Sequence, residues 1–411
     1  MTEAISEIGP AEPLAGWSDA PLKVTLPPDD DLAATLGELD EGVTRRPSLV
    51  ASLSAATPNP VDRYEIQDVL GKGAMGVVHR ASDRDLARQV ALKRLRSKSS
   101  SPAQVSRFLR EAQVTGQLEH PGIVPVHDVG VDEEGRFFYV MRLVRGQETL
   151  QSVIHRLRAR DPETHRQYSF ERRVLVVRQV AQILGYAHAR GVIHRDVKPE
   201  NIMLGPFGEV CLVDWGVAKL IASSDEPETE QLSQCEGLAP TETAAGRIVG
   251  TPQYMAPEQA NGGKVSPATD LYSLTAVLYE LLTLKKYAGD AKTFPEIMEK
   301  ILGGSHIPAE DHFDRVNGRV PRALSYICDK GLAKDPAKRF ESARHLEGAL
   351  EGWLEGDTPV VCPATFLISV LNKWKKAIDR NPVPVTFATF LIPVGAVFWH
   401  TVHRIYLALG G

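Results

Sequence analysis

One octapeptide concentrates more chemistry than any other stretch of this chain: His194-Arg195-Asp196-Val197-Lys198-Pro199-Glu200-Asn201. Asp196 offers a carboxylate that can take the proton of an arriving hydroxyl. Asn201 offers a neutral oxygen ligand for Mg²⁺. Lys198 sets a cation beside both, suited to a phosphate in transfer. Phosphoryl transfer asks a protein mostly for positioning and charge management, and these residue types in one short loop meet that demand.

Further groups flank the loop. Gly71-Lys72-Gly73-Ala74-Met75-Gly76 lets backbone N–H groups approach a polyphosphate that side chains would obstruct. A dinucleotide-binding turn would need a helix directly after such glycines. Here the β-branched Val77-Val78-His79-Arg80-Ala81 follows, and Tyr64 to Leu70 alternates before it. Two strands joined by a glycine turn are therefore expected. Val90-Ala91-Leu92-Lys93 sets a lysine among apolar neighbours, where a buried cation needs an acidic partner. Asp214 leaves the short apolar run Val210-Cys211-Leu212-Val213, where its carboxylate suits Mg²⁺ beside Asn201.

In this order, and with Asp214-Trp215-Gly216 and Ala256-Pro257-Glu258 after them, the motifs resemble the signatures of eukaryotic-like (Hanks-type) serine/threonine protein kinases, in a layout of the bacterial kind. Lys198 favours the Ser/Thr branch over the tyrosine branch. The resemblance covers about Tyr64 to Leu354. It implies an α+β, two-lobed protein kinase fold, with a small mainly-β N-lobe, a larger mainly-α C-lobe and ATP between them.

The resemblance also implies roles. Leu70, Gly71, Gly73, Gly76, Val78, Lys93 and Glu111 are expected around ATP, with Glu111, in the helical run Val105 to Leu118, as the partner of Lys93. Asp196 and Lys198 are the expected catalytic pair, and Asn201 and Asp214 the expected Mg²⁺ ligands. Met141 is the gatekeeper residue at the hinge. Glu258 should pair with Arg339, Asp270 should anchor the catalytic loop backbone, and Thr251 should face Asp196 and Lys198. Two positions depart from the family pattern. Arg142 stands where Glu is frequent, which leaves the hinge electrostatics open. Trp215 stands where Phe is usual, which leaves the switching of that segment open.

The implied function is transfer of the γ-phosphate of Mg·ATP to Ser or Thr hydroxyls of protein substrates in signal transduction. Autophosphorylation of the Ser/Thr-rich segment 219–249 is expected, with Thr229, Ser233, Thr241 and Thr243 as candidates and self-association as the route to phosphorylation in trans. Two rival readings share the core. A binding scaffold without catalysis would not need the polar set, which is complete. A small-molecule phosphotransferase would not need Gly250-Thr251 and Ala256-Pro257-Glu258, which shape a peptide groove.

The remaining sequence bounds the setting. With 411 residues the chain accommodates one large or two ordinary domains plus tails. A net charge of −5 gives no reason to expect nucleic acid as a partner. Cys211, Cys235, Cys328 and Cys362 are scattered, which argues against a disulfide framework and for a reducing, cytoplasmic setting. The first ten residues carry acids and no basic apolar core, so no signal peptide is expected. Residues 1–60 are rich in Pro, Ser, Thr and acids and read as a disordered tail, with docking or phosphorylation sites as the alternative. After the catalytic domain, residues 355–382 read as a juxtamembrane linker with basic Lys373-Trp374-Lys375-Lys376. Residues 383–402 hold no Asp, Glu, Lys or Arg and are just long enough to span a membrane, with Trp399 near an interface and 403–411 as a short tail. The alternative is an apolar tail packed on the large lobe. The expectation is a cytoplasmic kinase domain anchored by one C-terminal span.

Overall fold

The computed structural model describes residues 63–356, apart from 74–75, 98–99, 147, 217, 221–251, 290, 292 and 305, together with residue 370. The expected tail 1–60, span 383–402 and tail 403–411 lie outside the described residues, as does the linker except 355–356 and 370.

Alternating side chains build the small lobe first. Strands β1 (Tyr64–Lys72), β2 (Gly76–Asp83) and β3 (Arg88–Leu95) precede helix α1 (Pro102–Gln117), and β4 (Val126–Val131) and β5 (Phe137–Arg142) follow it. They form one antiparallel sheet in the order β1-β2-β3-β5-β4. Because successive strand residues face opposite ways, Tyr64, Ala81, Val90, Leu92, Phe138 and Val140 pack on one side. Leu95 and Tyr139 turn the other way and meet Phe108, Leu109 and Ala112 of α1. The helix starts three residues before the expected Val105. Local chemistry sets that start: the Ser101 hydroxyl accepts from the Gln104 amide at 3.3 Å, Gln104 Oε1 accepts from the Ser101 amide at 2.9 Å, and Pro102 opens the first turn.

The large lobe is mostly helical. Strand β6 (Glu148–Thr149) leads into α2 (Leu150–Arg158), followed by α3 (Pro162–Gln167) and α4 (Phe170–Ala189). The charged stretch 155–172 supplies the end of α2, all of α3 and the first turn of α4. Helix α4 begins at Phe170, and Arg173 lies fully buried within it. Its guanidinium donates to the Tyr168 carbonyl at 2.9 Å, the Leu281 carbonyl at 3.0 Å and Asp314 at 2.9 Å. A buried arginine is tolerated when its charge and donors are all matched in this way.

Short strands β7 (Val192–Ile193), β8 (Ile202–Leu204), β9 (Val210–Leu212) and β10 (Lys219–Leu220) frame the loops between α4 and the later helices. β6, β8 and β9 form one small sheet, and β7 pairs with β10. Helices α5 (Pro257–Ala260), α6 (Pro267–Thr283), α7 (Phe294–Leu302), α8 (Arg322–Gly331) and α9 (Ala343–Leu354) complete the lobe. Every residue of α6 from Thr269 to Leu282 is buried, so this helix is the centre on which the loops are mounted. At its first turn the Ser266 amide donates to the Thr269 hydroxyl at 3.1 Å, and Pro267 opens the helix. Among the described residues no helix is long and apolar enough to cross a membrane.

Candidate active site

The glycine turn and Lys93 of the small lobe come from β1, β2 and β3. Leu70 and Gly71 lie near the end of β1, and Gly76 opens β2. The Gly73 amide donates to the Gly76 carbonyl at 2.9 Å, closing the turn. Gly76 is needed for a reason internal to the sheet: a Cβ there would sit 2.7 Å from the Arg94 carbonyl. At Gly71 a Cβ would meet nothing within 4 Å. Val78 stands opposite Lys93 in the β2–β3 register and opposite Gly71 in the β1–β2 register.

Lys93 and Glu111 are joined as expected. The ammonium donates to Glu111 Oε1 at 2.6 Å and Oε2 at 2.8 Å. Glu111 is buried, and the Tyr139 hydroxyl also donates to its Oε1, at 2.8 Å. Lys93 Nζ lies 3.7 Å from Asp214 Oδ1, so one cation links a small-lobe helix to the strand exit of the large lobe. Burial works against this ammonium, but Tyr139, Glu111 and Asp214 outweigh it and hold its pKa well above the ordinary lysine value. Burial, with Glu111 next to it, pushes the Tyr139 phenol well above its usual range, so it stays a donor.

In the large lobe Asp196 accepts from Lys198 Nζ at 2.6 Å and from Asn201 Nδ2 at 3.0 Å. Asn201 Nδ2 also donates to the Asp196 carbonyl at 2.8 Å, which leaves the amide oxygen as the atom with lone pairs to give. Asp214 keeps 44% of its side chain exposed, open to an incoming cation. Partial burial would raise its pKa, but Lys93, His194 and Lys198 outweigh burial and lower it. Asp214 is therefore the charged oxygen donor that a Mg²⁺ ion seeks. The donor set Asn201, Asp214 and Lys93 fits Mg·ATP in chemistry and in charge.

Backbone strain marks the same places. Arg195 has φ 69° and Asp214 φ 67°, both non-glycine residues in the left-handed region. Asp270, fully buried in α6, over-determines the first of them: its two oxygens accept from the His194 and Arg195 amides at 2.8 Å each. The Arg195 carbonyl accepts from Gln259 Nε2 at 3.0 Å. His188 Nε2 lies 2.8 Å from Asp270 Oδ2 and completes the mount. His194 Nε2 lies 3.1 Å from the Val213 carbonyl, tying the loop to the strand that delivers Asp214.

Several expectations resolve here. Glu258 and Arg339 form a two-bonded fork at 2.8 Å per bond, with Arg339 buried. Trp215 finds the partner its indole needs, donating to the Leu212 carbonyl at 3.2 Å from a fully buried position. Arg142 donates from its guanidinium to the Pro121 carbonyl at 3.2 Å, with Cys211 Sγ at 3.5 Å. Met141, the expected gatekeeper, packs against the cluster of Val124, Val144 and Cys211. Thr251 and the candidates Thr229, Ser233, Thr241 and Thr243 lie outside the described residues.

Tyr139, His188 and Gln259 escaped the sequence reading. Gln259 directly follows Ala256-Pro257-Glu258, the one local hint to any of them.

Residues 64–349 match the protein kinase domain family. The chain is similar to serine/threonine-protein kinase PknD of Protochlamydia amoebophila, 36% identical over 334 residues, covering 78% of this chain and 33% of that protein. It is similar also to PknD of Chlamydia trachomatis serovar L2b, at 34% over 328 residues, covering 77% and 34%. PknD of Chlamydia pneumoniae is 32% identical over 350 residues, covering 83% and 36%. The chain thus spans about a third of the length of these curated relatives.

Proposed function

The chain belongs to the protein kinase family, and from that premise we propose that it is a serine/threonine protein kinase of signal transduction, transferring the γ-phosphate of Mg·ATP to protein hydroxyls. The observation that carries the reading is the link between lobes, with Lys93 bonded to Glu111 at 2.6 Å and 3.7 Å from Asp214. The names of its relatives and Lys198 support Ser and Thr over Tyr.

In this reading Asp196 orients the substrate hydroxyl and accepts its proton. The hydroxyl oxygen bonds to the γ-phosphorus as the bond from that phosphorus to the bridging oxygen breaks, and ADP departs with that oxygen. Lys198 balances the charge of the transferring group. Lys93, held by Glu111 and Tyr139, fixes the phosphates of ATP. Leu70, Gly71, Gly73, Gly76 and Val78 line the nucleotide site. Asn201 and Asp214 would hold Mg²⁺, which would neutralise phosphate charge when bound.

Two substitutions test the assignment. Asp196→Asn should lose turnover by about a hundredfold or more while still binding ATP. Asp214→Asn should bind Mg·ATP poorly. Wild-type turnover in either variant, measured with labelled ATP and generic protein, would sink the roles. Autophosphorylation within 219–249 is part of the reading, supported by the Ser and Thr content of that segment. Phosphate there in wild type and its absence in Asp196→Asn would support it; an unmodified segment in active enzyme would not. Anchoring through 383–402 rests on the uncharged run, and recovery of the full chain in the soluble fraction without detergent would count against it.

A further inference from the structure

Arg107 and Glu111 stand one turn apart on α1, on the same helix face. Glu111 belongs to the site already described. Arg107 does not, yet its Nε donates to the Gly216 carbonyl at 3.2 Å, joining residues far apart in the chain. Gly216 follows Asp214 and Trp215, so the helix grips the backbone of the segment that carries the Mg²⁺-facing carboxylate.

A second contact falls on the same residue. A Cβ placed on Gly216 would lie 3.0 Å from Glu111 Oε2, 3.3 Å from Glu111 Cδ and 3.4 Å from Asp214 Oδ1. Helix α1 therefore meets Gly216 at two points, a hydrogen bond through Arg107 and close packing through Glu111. Lys93 closes the ring from the other side by its contacts with Glu111 and Asp214. Shifting α1 without shifting Gly216 would break the bond and open the packing together.

We propose that Arg107 is a positioning residue that clamps the Asp214-Trp215-Gly216 segment to α1 and so keeps Asp214 placed for its cation. The role rests on the kinase reading for its consequence and on geometry for its existence. The two are tested separately. Arg107→Met keeps the aliphatic stem and removes the guanidinium; Arg107→Lys keeps the charge without the planar fork.

The first readout is amide hydrogen exchange in the ligand-free full chain, comparing peptides over 212–220 with peptides of α6. The second is the Mg²⁺ concentration for half-maximal activity at saturating ATP. Arg107→Met should exchange about tenfold faster over 212–220, as expected for loss of a charge-assisted bond, with α6 unchanged. Its Mg²⁺ requirement should rise by about tenfold, with KM for peptide substrate unchanged, and Arg107→Lys should fall between. Wild-type exchange and Mg²⁺ requirement in folded Arg107→Met would overturn the clamp. So would an equal rise in exchange over α6, which would signal general loosening. Should Arg107→Met fail to fold, Arg107→Lys decides by the same criteria. A wild-type chain with no kinase activity would sink the kinase reading, and the exchange comparison would still judge the clamp.

Discussion

Trp215 stands edge-on to His194, with ring centroids 4.5 Å apart and the planes inclined at 64°. The two aromatic rings join the catalytic loop to the segment of Asp214, and the indole N–H is satisfied within three residues by the Leu212 carbonyl at 3.2 Å. An aromatic pair of this geometry contributes about 0.5–1.5 kcal/mol beyond simple burial. Trp215→Phe keeps a ring in the slot and loses one neutral hydrogen bond, so it should cost about 1 kcal/mol and remain active. Trp215→Ala empties a fully buried site and should cost about 3–5 kcal/mol. Urea unfolding that ranked Trp215→Ala level with wild type would show that the ring contact does not hold these loops together.

Tyr139 gives Glu111 a second donor besides Lys93. Tyr139→Phe removes only the hydroxyl that donates to Glu111 Oε1 at 2.8 Å. A bond to a charged acceptor is worth about 1.5–3 kcal/mol. The variant should therefore lose about tenfold in kcat/KM for ATP, chiefly through KM. Glu111→Gln should lose more, because it strips Lys93 of its counter-charge. Steady-state kinetics with ATP varied would decide, and unchanged kcat/KM in Tyr139→Phe would rule out a role for the phenol in holding the pair.

The fork between Glu258 and Arg339 should make stability fall in acid. Burial would raise the Glu258 pKa, but the bonds from Arg339, with the Thr269 hydroxyl donating at 2.8 Å, outweigh it and lower the pKa below the usual value. A folded pKa below the unfolded one means that the unfolded chain binds more protons in that window. The stabilisation is fully present above the unfolded glutamate pKa of about 4.3 and is lost as pH falls through the folded value. Thermal melts of wild type should drop between about pH 5 and pH 3 more steeply than those of Glu258→Gln, which carries no titrating carboxyl there. Parallel curves for the two proteins would show that this pair does not set the acid limit.

The sequence by itself singled out the candidate chemistry and much of the local frame. Asp196, Lys198, Asn201, Lys93 and Asp214 stood out because phosphoryl transfer, the reaction the resemblance implies, restricts residue type and spacing within short motifs. Strands around Gly71–Gly76 followed from alternation, while α1, expected from Val105, starts at Pro102, where Ser101 and Gln104 cap it. Resemblance also supplied Asp270 and the Glu258–Arg339 pair. The tertiary structure alone decided what else each group touches. Tyr139 reaches Glu111 across 28 positions, Gln259 reaches the Arg195 carbonyl across 64, and Arg107 reaches Gly216 across 109. Arg142 turned to the Pro121 carbonyl, and Trp215 to Leu212, because packing put those oxygens within reach. Such partners leave no periodic trace in the chain. A hydrogen bond is selected by what lies about 3 Å away, and that distance exists only once the sheet, α1 and α6 have closed on one another.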